Sequence, residues 1–568
     1  MKNLEIAKIL NEIADILDMK EVEFKPRAYR RAARTIESLS RPIEEIQEEG
    51  NLEELTGVGK SIASKITEII ETGTSKYYEK LKTEIPVDIE NLTSIEGMGP
   101  KTVKMLYTNL GIKTLEDLEK AAKKHKIREI KGLGPKTEDN ILEHIDLAKS
   151  NQERILLGLA LPAAEGIKNQ LENDLDVIYQ IDVAGSVRRM KPTIGDIDVL
   201  VSSSDPSKVA DYFSKMADVQ EVLGKGKTKV SVILANGLQV DLRLVGEESY
   251  GSALLYFTGS KDHNIALRKI ALKKEYKLSE YGLFKDDKRL AGKTEHEVYD
   301  KLGLNFIPPE LRENRGEIEA AQDGNLPKLI GYDDVRGDLQ CHTKWSDGSQ
   351  SIEEMAKAAL ELNYEYLCIT DHYGDLKIAG ALDDKQLREE VKEIDRINRK
   401  LDEIEILKGA EIDIKPDGSL NVNEKLLGEL DIVIASVHSN FNQTKKEMTN
   451  RIVRAMENQY VSIIAHPTGK KINKKPSVQL DLNSIFDASK ETGTLLEINS
   501  SPERLDLDDV TSKAAVGAGC RMVIDTDAHA TADFSHMQLG IAMARRGWIQ
   551  KKDVANTSNL KQLRKILK

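Results

Sequence analysis

The chain reads as a helical N-terminal region, then an α+β domain built on a sheet, then a distorted α/β barrel of TIM-like pattern. Three observations predict this. Over the first 150 residues helical patterns are broken by short glycine-containing turns, three of which share one form. From about residue 175, β-branched runs closed by turn residues take over. After about residue 335, short apolar runs alternate with long helical stretches, the pattern of a parallel sheet or barrel. At 568 residues the chain exceeds what one core supports, so several domains are expected.

Composition narrows the class. Hydrophobic residues make up 40% and charged residues 31%, as in water-soluble globular proteins. No apolar run approaches the roughly 20 residues that cross a bilayer, so no membrane partner is expected. "MKNLEIAKILNEIADIL" (1–17) lacks the apolar core and cleavage site of a signal peptide. Three cysteines (Cys341, Cys368, Cys520) argue against a disulfide framework and for a reducing cytosol. A net charge of −12 taken alone speaks against nucleic acid. Binding depends on local patches, however, and "KPRAYRRAAR" (25–34) and "KKHKIREIKGLGPK" (123–136) are strongly basic.

The repeated turns are "TGVGKSIASKI" (56–66), "EGMGPKTVKML" (96–106) and "KGLGPKTEDNI" (131–141). In each, a glycine pair (Gly57 and Gly59, Gly97 and Gly99, Gly132 and Gly134) precedes a helix bearing Lys or Thr. Such a turn brings backbone N–H groups close to an anion, and the helix adds the positive end of its dipole. A DNA phosphate suits it, without regard to base sequence. One copy could be a plain helix connection; three point to helix-hairpin-helix DNA binding, with Lys60 and Lys101 beside the phosphates. Lys65 lies about one helical turn beyond Lys60 and Ser61, where a neighbouring cation lowers an amine pKa and makes it nucleophilic toward an aldehyde. A solvated surface lysine is the plain alternative.

In the middle region "VIYQIDVAGSV", "DIDVLVSS", "KVSVILANG" and "LQVDLRLVG" read as strands. Residues two apart on a strand face one side, so Asp196 and Asp198 in "GSVRRMKPTIGDIDVL" (185–200) aim at one place. Asp241 on a later strand supplies a third carboxylate. Three carboxylates so placed hold two magnesium (or manganese) ions. Gly185 and Ser186 form a tight turn able to donate to a triphosphate, and Arg189 adds a charge-assisted bond. Two solvated aspartates are the plain alternative; the full spacing is the nucleotidyltransferase arrangement. "FIPPELRENRGEIEAAQDGNLPKLIG" (306–331) has linker chemistry.

In the last region, five of the ten histidines and three acids fall at or just after the C-terminal ends of strands. They are His342, Asp347, His372, Glu411, His438, His466, Asp527 and His529. In a parallel barrel these ends share one face, where sites form. "DLQCHTKWSDG" (338–348) carries Gln340 two residues before His342.

Residues 1–315 resemble a family X DNA polymerase, similar to DNA polymerase beta. The likeness is carried by "AYRRAARTIESL", "LTGVGKSIASKITEIIETG", "LTSIEGMGPKTVKMLYTNLGIKTLEDL", the aspartate motif, "LLYFTGSKDHNIALR" (254–268) and "FIPPELRE". The resemblance implies a lyase-like helical domain over 1–82 and a thumb-like helix-hairpin-helix domain over 83–150. It also implies a nucleotidyltransferase palm over 151–247, a nascent-base-pair domain over 248–315 and a linker over 316–334. By it, Asp196, Asp198 and Asp241 hold catalytic metals, and Arg154, Gly185, Ser186, Arg189 and Gly195 bind the triphosphate. Tyr256, Phe257 and Gly259 line the sugar. Asn264 and Arg268 touch base and template. Lys65 takes the Schiff-base position, with Lys25 and Tyr29 near a 5′-phosphate, and a monovalent cation is implied at the hairpin turns. Three positions depart from the pattern: Gln239 and Lys261 replace an arginine and an aspartate, and Ser61 replaces a lyase-domain lysine.

Residues 335–568 resemble a PHP domain (polymerase and histidinol phosphatase), which binds up to three metals and hydrolyses phosphoesters. Eight of nine ligands of the pattern are present and Gln340 replaces the first histidine, so one of three Mn²⁺, Zn²⁺ or Mg²⁺ positions is expected to be weakened. The combined resemblance implies a cytoplasmic, monomeric prokaryotic enzyme acting on gapped or nicked DNA with deoxynucleoside triphosphates. It would have polymerase, 3′–5′ exonuclease, AP-endonuclease and deoxyribose-phosphate lyase activities. A PHP phosphoesterase, or a non-catalytic DNA-end scaffold with a vestigial polymerase site, is the alternative.

Overall fold

The computed structural model describes residues 2–37, 43–55, 57–93, 98–135, 137–139, 141–142, 154–420 and 422–567. The chain divides into two compact units, one built on Met1–Gln152 and the other on Glu153–Ile472 and Pro476–Lys568.

The first unit is helical, with Lys2–Met19, Lys25–Glu37, Lys60–Thr72, Lys76–Glu84, Pro100–Leu110 and Leu115–Lys123 as its longer helices. Ile6, Leu10, Ile13 and Leu17 recur at helical spacing and join Ile66, Val103 and Leu106 in one apolar cluster. Ends are set locally. Ser75 and Thr114 accept from Tyr78 N and Asp117 N, and Gly73 and Gly111 close helices in the left-handed conformation. Within the basic stretch, Ile127 and Arg128 are held by Glu138, which is fully buried and accepts from Ile127 N at 2.9 Å and Arg128 N at 3.0 Å.

In the second unit β1 (Ile155–Leu156) pairs with β3 (Thr193–Ile194). A five-stranded sheet follows. Its order is β2 (Ile178–Val183), β4 (Asp196–Ser203), β7 (Gln239–Val245), β6 (Lys229–Leu234) and β5 (Val219–Lys225). Only β4 and β7 run parallel within it. The predicted strands are β2, β4, β6 and β7. The edge strand β5 escaped the reading because six of its seven residues are exposed, leaving no buried face for periodicity to reveal. Helices Tyr250–Thr258, Lys261–Lys273 and Glu295–Leu302 then pack around a small meander of β8 (Lys277–Ser279), β9 (Gly282–Lys285) and β10 (Lys288–Ala291).

The 316–334 stretch, expected as a linker, is folded. Helix Glu317–Gln322 buries Ile318 and Ala321, and Ile330 N donates to Ile549 O at 3.0 Å. Its turns fall at residues 323–324 and 332–333, and its few apolar residues suffice to anchor it.

The barrel has seven parallel strands in chain order: β11 (Gly337–Cys341), β12 (Tyr366–Ile369), β13 (Glu405–Asp413), β14 (Ile432–Ser436), β15 (Val461–Ile464), β16 (Leu495–Asn499) and β17 (Met522–Asp525). A Cys341–Ala528 bridge closes it, with His342 N donating to Ala528 O at 2.8 Å. Seven strands where a TIM barrel has eight account for the distortion. Continuous apolar runs suit strands buried on both faces, and each strand contributes to a cluster of Leu339, Cys368, Leu407, Ile434, Ile463, Leu495 and Val523. Sheet domain and barrel share one apolar core. Gly158 is part of that seam: a Cβ there would sit 2.7 Å from Pro502.

Candidate active sites

The first site lies on β4 and β7. Asp198 is paired in register with Asp241 on the neighbouring parallel strand, and Asp196 with Gln239. Strand alternation puts all three carboxylates on one face. Gly185, at φ +63°, follows β2, and a Cβ there would be 2.5 Å from Asp198 Oδ2, so glycine alone permits this close turn. Burial pushes Asp198 up to about 6; the charges of Asp196 and Asp241 add to the rise, and Arg243, with Nε 3.8 Å away, opposes it. Burial alone would raise Asp241 too. Contacts from Lys229 at 2.6 Å, Ser231 and Gln239 (3.2 Å) outweigh it and hold Asp241 below the usual carboxylate range. Crowded hard-oxygen donors with one carboxylate raised by its neighbours suit a divalent cation. Lys229 engages Asp241 in this state, so drawing all three carboxylates onto ions requires the ammonium to yield.

Arg154 donates to Thr193 Oγ1 at 3.0 Å and Thr193 O at 2.6 Å, and its guanidinium packs on Gly195. Ser186 is half-buried beside Gly185. Arg189 donates to Glu313 at 3.1 Å and to the Thr258 carbonyl, against Gly259 at φ +70°. Phe257 packs edge-on to Tyr256 at 5.1 Å and lies under the Arg243 guanidinium at 4.1 Å. Asn264 donates to Tyr256 O at 2.7 Å, and Tyr256, Asn264 and Arg268 line one small cavity. Lys229 and Arg243 were missed by sequence reasoning. Arg243, two residues after Asp241 on the same strand face, was findable; Lys229 comes from another strand and was not.

In the helical unit Gly57 (φ +83°) faces Arg31, and Gly59 and Gly99 cap helices Lys60–Thr72 and Pro100–Leu110. Gly132 has φ +98°, and Gly134 O accepts from Thr137 N at 3.0 Å. Gly97 lies outside the described residues. Lys25, Lys60 and Lys101 are exposed. Tyr29 is buried and stacks on Tyr77 at 6.4 Å. Lys65 Nζ donates to Ser61 O at 2.9 Å and Oγ at 3.0 Å; burial, then the Lys25 charge, lower its pKa.

The second site closes over the barrel mouth. Glu411 is central: its Oε1 lies 3.4 Å from Nε2 of both His438 and His466, and its Oε2 3.3 Å from His342 Nε2 and 3.5 Å from His372 Nδ1. His342 Nε2 is also 3.2 Å from Asp527 Oδ1, and Asp347 lies 3.5 Å from His529 and 3.7 Å from His372. Three overlapping groups have ligand atoms all within 4.8 Å: His342, Asp347, His372 and His529; His372, Glu411 and His438; His342, Glu411 and Asp527. The three aspartates of the first site are not among the groups so closely drawn. Gln340 donates to Asp527 at 3.4 Å, beside the third group.

These residues fit metal ions on their own evidence. Both ring nitrogens of His342, Nδ1 of His372 and His466, Oε1 of Glu411 and Oε1 of Gln340 are buried without a hydrogen bond among the described residues. Each such group costs about 1–3 kcal/mol unless a ligand satisfies it. Burial lowers His438 to about 3, so its imidazole is neutral, as a ligand must be. Supporting acids fix the loops. Asp371 accepts from Thr343 N at 2.7 Å and Ser346 N at 3.2 Å, and Asp338 accepts from Thr526 N at 3.2 Å.

Comparison with known proteins agrees with this geometry. Profiles match for a helix-hairpin-helix domain (residues 1–75), a SAM-like helix-hairpin-helix tandem (89–146), the DNA polymerase beta thumb (253–313) and the PHP domain (338–501). The chain is 37% identical over 573 residues to the DNA polymerase/3′-5′ exonuclease PolX of Bacillus subtilis (strain 168), covering 100% of both chains. It is 26% identical over 341 residues to DNA polymerase lambda of Rattus norvegicus, covering 55% of this chain and 56% of that one. It is 28% identical over 243 residues to a Thermoanaerobacter sp. (strain X514) protein named "Probable phosphatase", covering 39% of this chain and 89% of that one. With the first of these likenesses running the full length of both chains, the protein belongs to the PolX family, the family X DNA polymerases that carry a PHP domain.

Proposed function

We propose that the protein is a DNA-directed DNA polymerase that fills short gaps in base excision repair. In this reading its barrel trims DNA as a 3′–5′ exonuclease and nicks at abasic sites. The observation that carries it is the in-register pair Asp198–Asp241 beside the Gly185–Ser186 turn. Gapped DNA docks through phosphate contacts at the glycine turns, with a monovalent cation there. Backbone N–H groups of Gly185 and Ser186, with Arg154, Arg189 and Gly195, orient the triphosphate; Tyr256, Phe257 and Gly259 hold the sugar. Asn264 and Arg268 read the base pair and template. Asp196, Asp198 and Asp241 would hold Mg²⁺ or Mn²⁺, and Gln340, His342, Asp347, His372, Glu411, His438, His466, Asp527 and His529 would hold two or three Mn²⁺, Zn²⁺ or Mg²⁺. When bound, these ions supply Lewis-acid activation, of the primer 3′-hydroxyl at one site and of a water at the other. Lys65 would attack the C1′ of an incised abasic sugar. We place the enzyme in the cytoplasm as a monomer; among the described residues no helix is long and apolar enough to cross a membrane.

Primer extension on a one-nucleotide gap, together with 3′-end trimming, tests the proposal in the wild type, Asp198→Ala and His438→Ala. Extension lost only in Asp198→Ala and trimming lost only in His438→Ala support it. Extension that survives Asp198→Ala refutes it. Tight gap binding with neither activity would make the protein a scaffold.

A further inference from the structure

The barrel lends an enclosed arginine to the nucleotide side of the sheet domain. Arg546 ends helix Met537–Arg546 and is 2% exposed. Its Nη1 donates to the backbone carbonyl of Arg189 at 2.6 Å and to Glu313 Oε1 at 3.1 Å, and its Nη2 donates to Asp509 Oδ2 at 2.7 Å. Arg189 donates its own Nε to the same Glu313 oxygen at 3.1 Å. Arg189 is therefore gripped twice, at its main chain directly and at its side chain through a shared carboxylate. Among the described residues its Nη2 makes no hydrogen bond. Two further cations adjoin the seam. Lys191 lies 3.9 Å from Glu313, and Arg315 2.6 Å from Asp509, so four cationic side chains surround two carboxylates. Lys191 and Arg315 stay about a third exposed, whereas the enclosed Arg189 and Arg546 are matched by Glu313 and Asp509.

We propose that Arg546 is a positioning residue for the incoming nucleotide: the barrel, through Arg546, sets Arg189 so that its free Nη2 meets the phosphate tail. This rests on the nucleotide-binding role given to Arg189 above. Three acceptors in two directions require a planar fork, which lysine lacks. The barrel is thus part of the polymerase as well as the seat of a second activity.

The test uses the full-length protein on one-nucleotide-gapped DNA, with KM for the deoxynucleoside triphosphate, kcat, inhibition by pyrophosphate, 3′-end trimming and melting temperature measured in parallel. Arg546→Lys and Arg546→Met are expected to raise KM and the pyrophosphate inhibition constant about tenfold, about 1.4 kcal/mol. kcat should stay within about threefold and trimming should be unchanged. An unchanged KM in both Arg546 variants, with KM raised in Arg189→Lys, overturns the proposal. An unchanged KM in Arg189→Lys overturns it by removing the reading it rests on. A wild-type-like Arg546→Lys beside an Arg546→Met that loses melting temperature, extension and trimming together shows a merely structural role and also overturns it. If Arg546→Met does not fold, Arg546→Lys decides alone.

Discussion

Gln340 donates its side-chain amide to Asp527 Oδ1 at 3.4 Å, and its own Oε1 is buried with no hydrogen-bond partner among the described residues. The amide thus stands beside the group of His342, Glu411 and Asp527. An amide oxygen binds Mg²⁺ or Mn²⁺ but is a weaker ligand for zinc than imidazole. Gln340→His should therefore raise the metal content of the purified protein by about one ion per chain and speed 3′-end trimming, leaving gap filling unchanged. Elemental analysis by mass spectrometry reads the first effect. Unaltered metal content would mean that Gln340 already serves fully as a ligand.

Asp198, raised from 3.8 to about 6, gives a pH signature. Its folded-state proton is held more tightly than the unfolded one, so it favours the fold fully below about pH 4. That contribution is lost as pH rises through about 6. Asp198→Asn should then stabilise the metal-free protein above pH 6 by up to about 3 kcal/mol. The difference should vanish near pH 4, and Mg²⁺ should stabilise the wild type more than the variant. Melting curves in EDTA and in Mg²⁺ at several pH values check this.

Lys229, 2.6 Å from Asp241, neutralises a carboxylate proposed to hold the ions. Lys229→Met should tighten Mn²⁺ binding to the polymerase site a few-fold while lowering the melting temperature of the metal-free protein. Mn²⁺ titration followed by electron paramagnetic resonance measures it. Weaker Mn²⁺ binding in the variant would show that Lys229 assists the ions instead of competing with them.

Lys65, its pKa lowered by burial and by Lys25, is the expected Schiff-base amine. Borohydride should trap wild-type protein on DNA carrying a 5′-deoxyribose phosphate, and Lys65→Ala should reduce trapping at least about tenfold if the amine is the nucleophile. Undiminished trapping would move the role to another lysine.

The spacing of Gly185, Asp196 and Asp198 was legible because it lies on one strand–turn–strand stretch, and β4 then brings Asp241 alongside. The candidate barrel ligands were legible because most fall at or just after the end of an apolar run, and parallel topology collects those ends on one face. Relationships between distant elements were not legible. Lys229 reaches Asp241 across β6 and β7, and Arg546 reaches Arg189 across the seam between barrel and sheet domain. Neither has a periodicity or a motif. The edge strand β5 and the folded 316–334 stretch were hidden for a related reason: one has little buried surface and the other buries only a few residues.

The most direct test of the account is anomalous diffraction at the manganese edge from crystals grown with Mn²⁺, gapped DNA and a non-hydrolysable deoxynucleoside triphosphate. The account predicts peaks among Asp196, Asp198 and Asp241, with Lys229 withdrawn, and separate peaks around Glu411 in the barrel. Peaks confined to the barrel, with Lys229 still resting on Asp241, would contradict it.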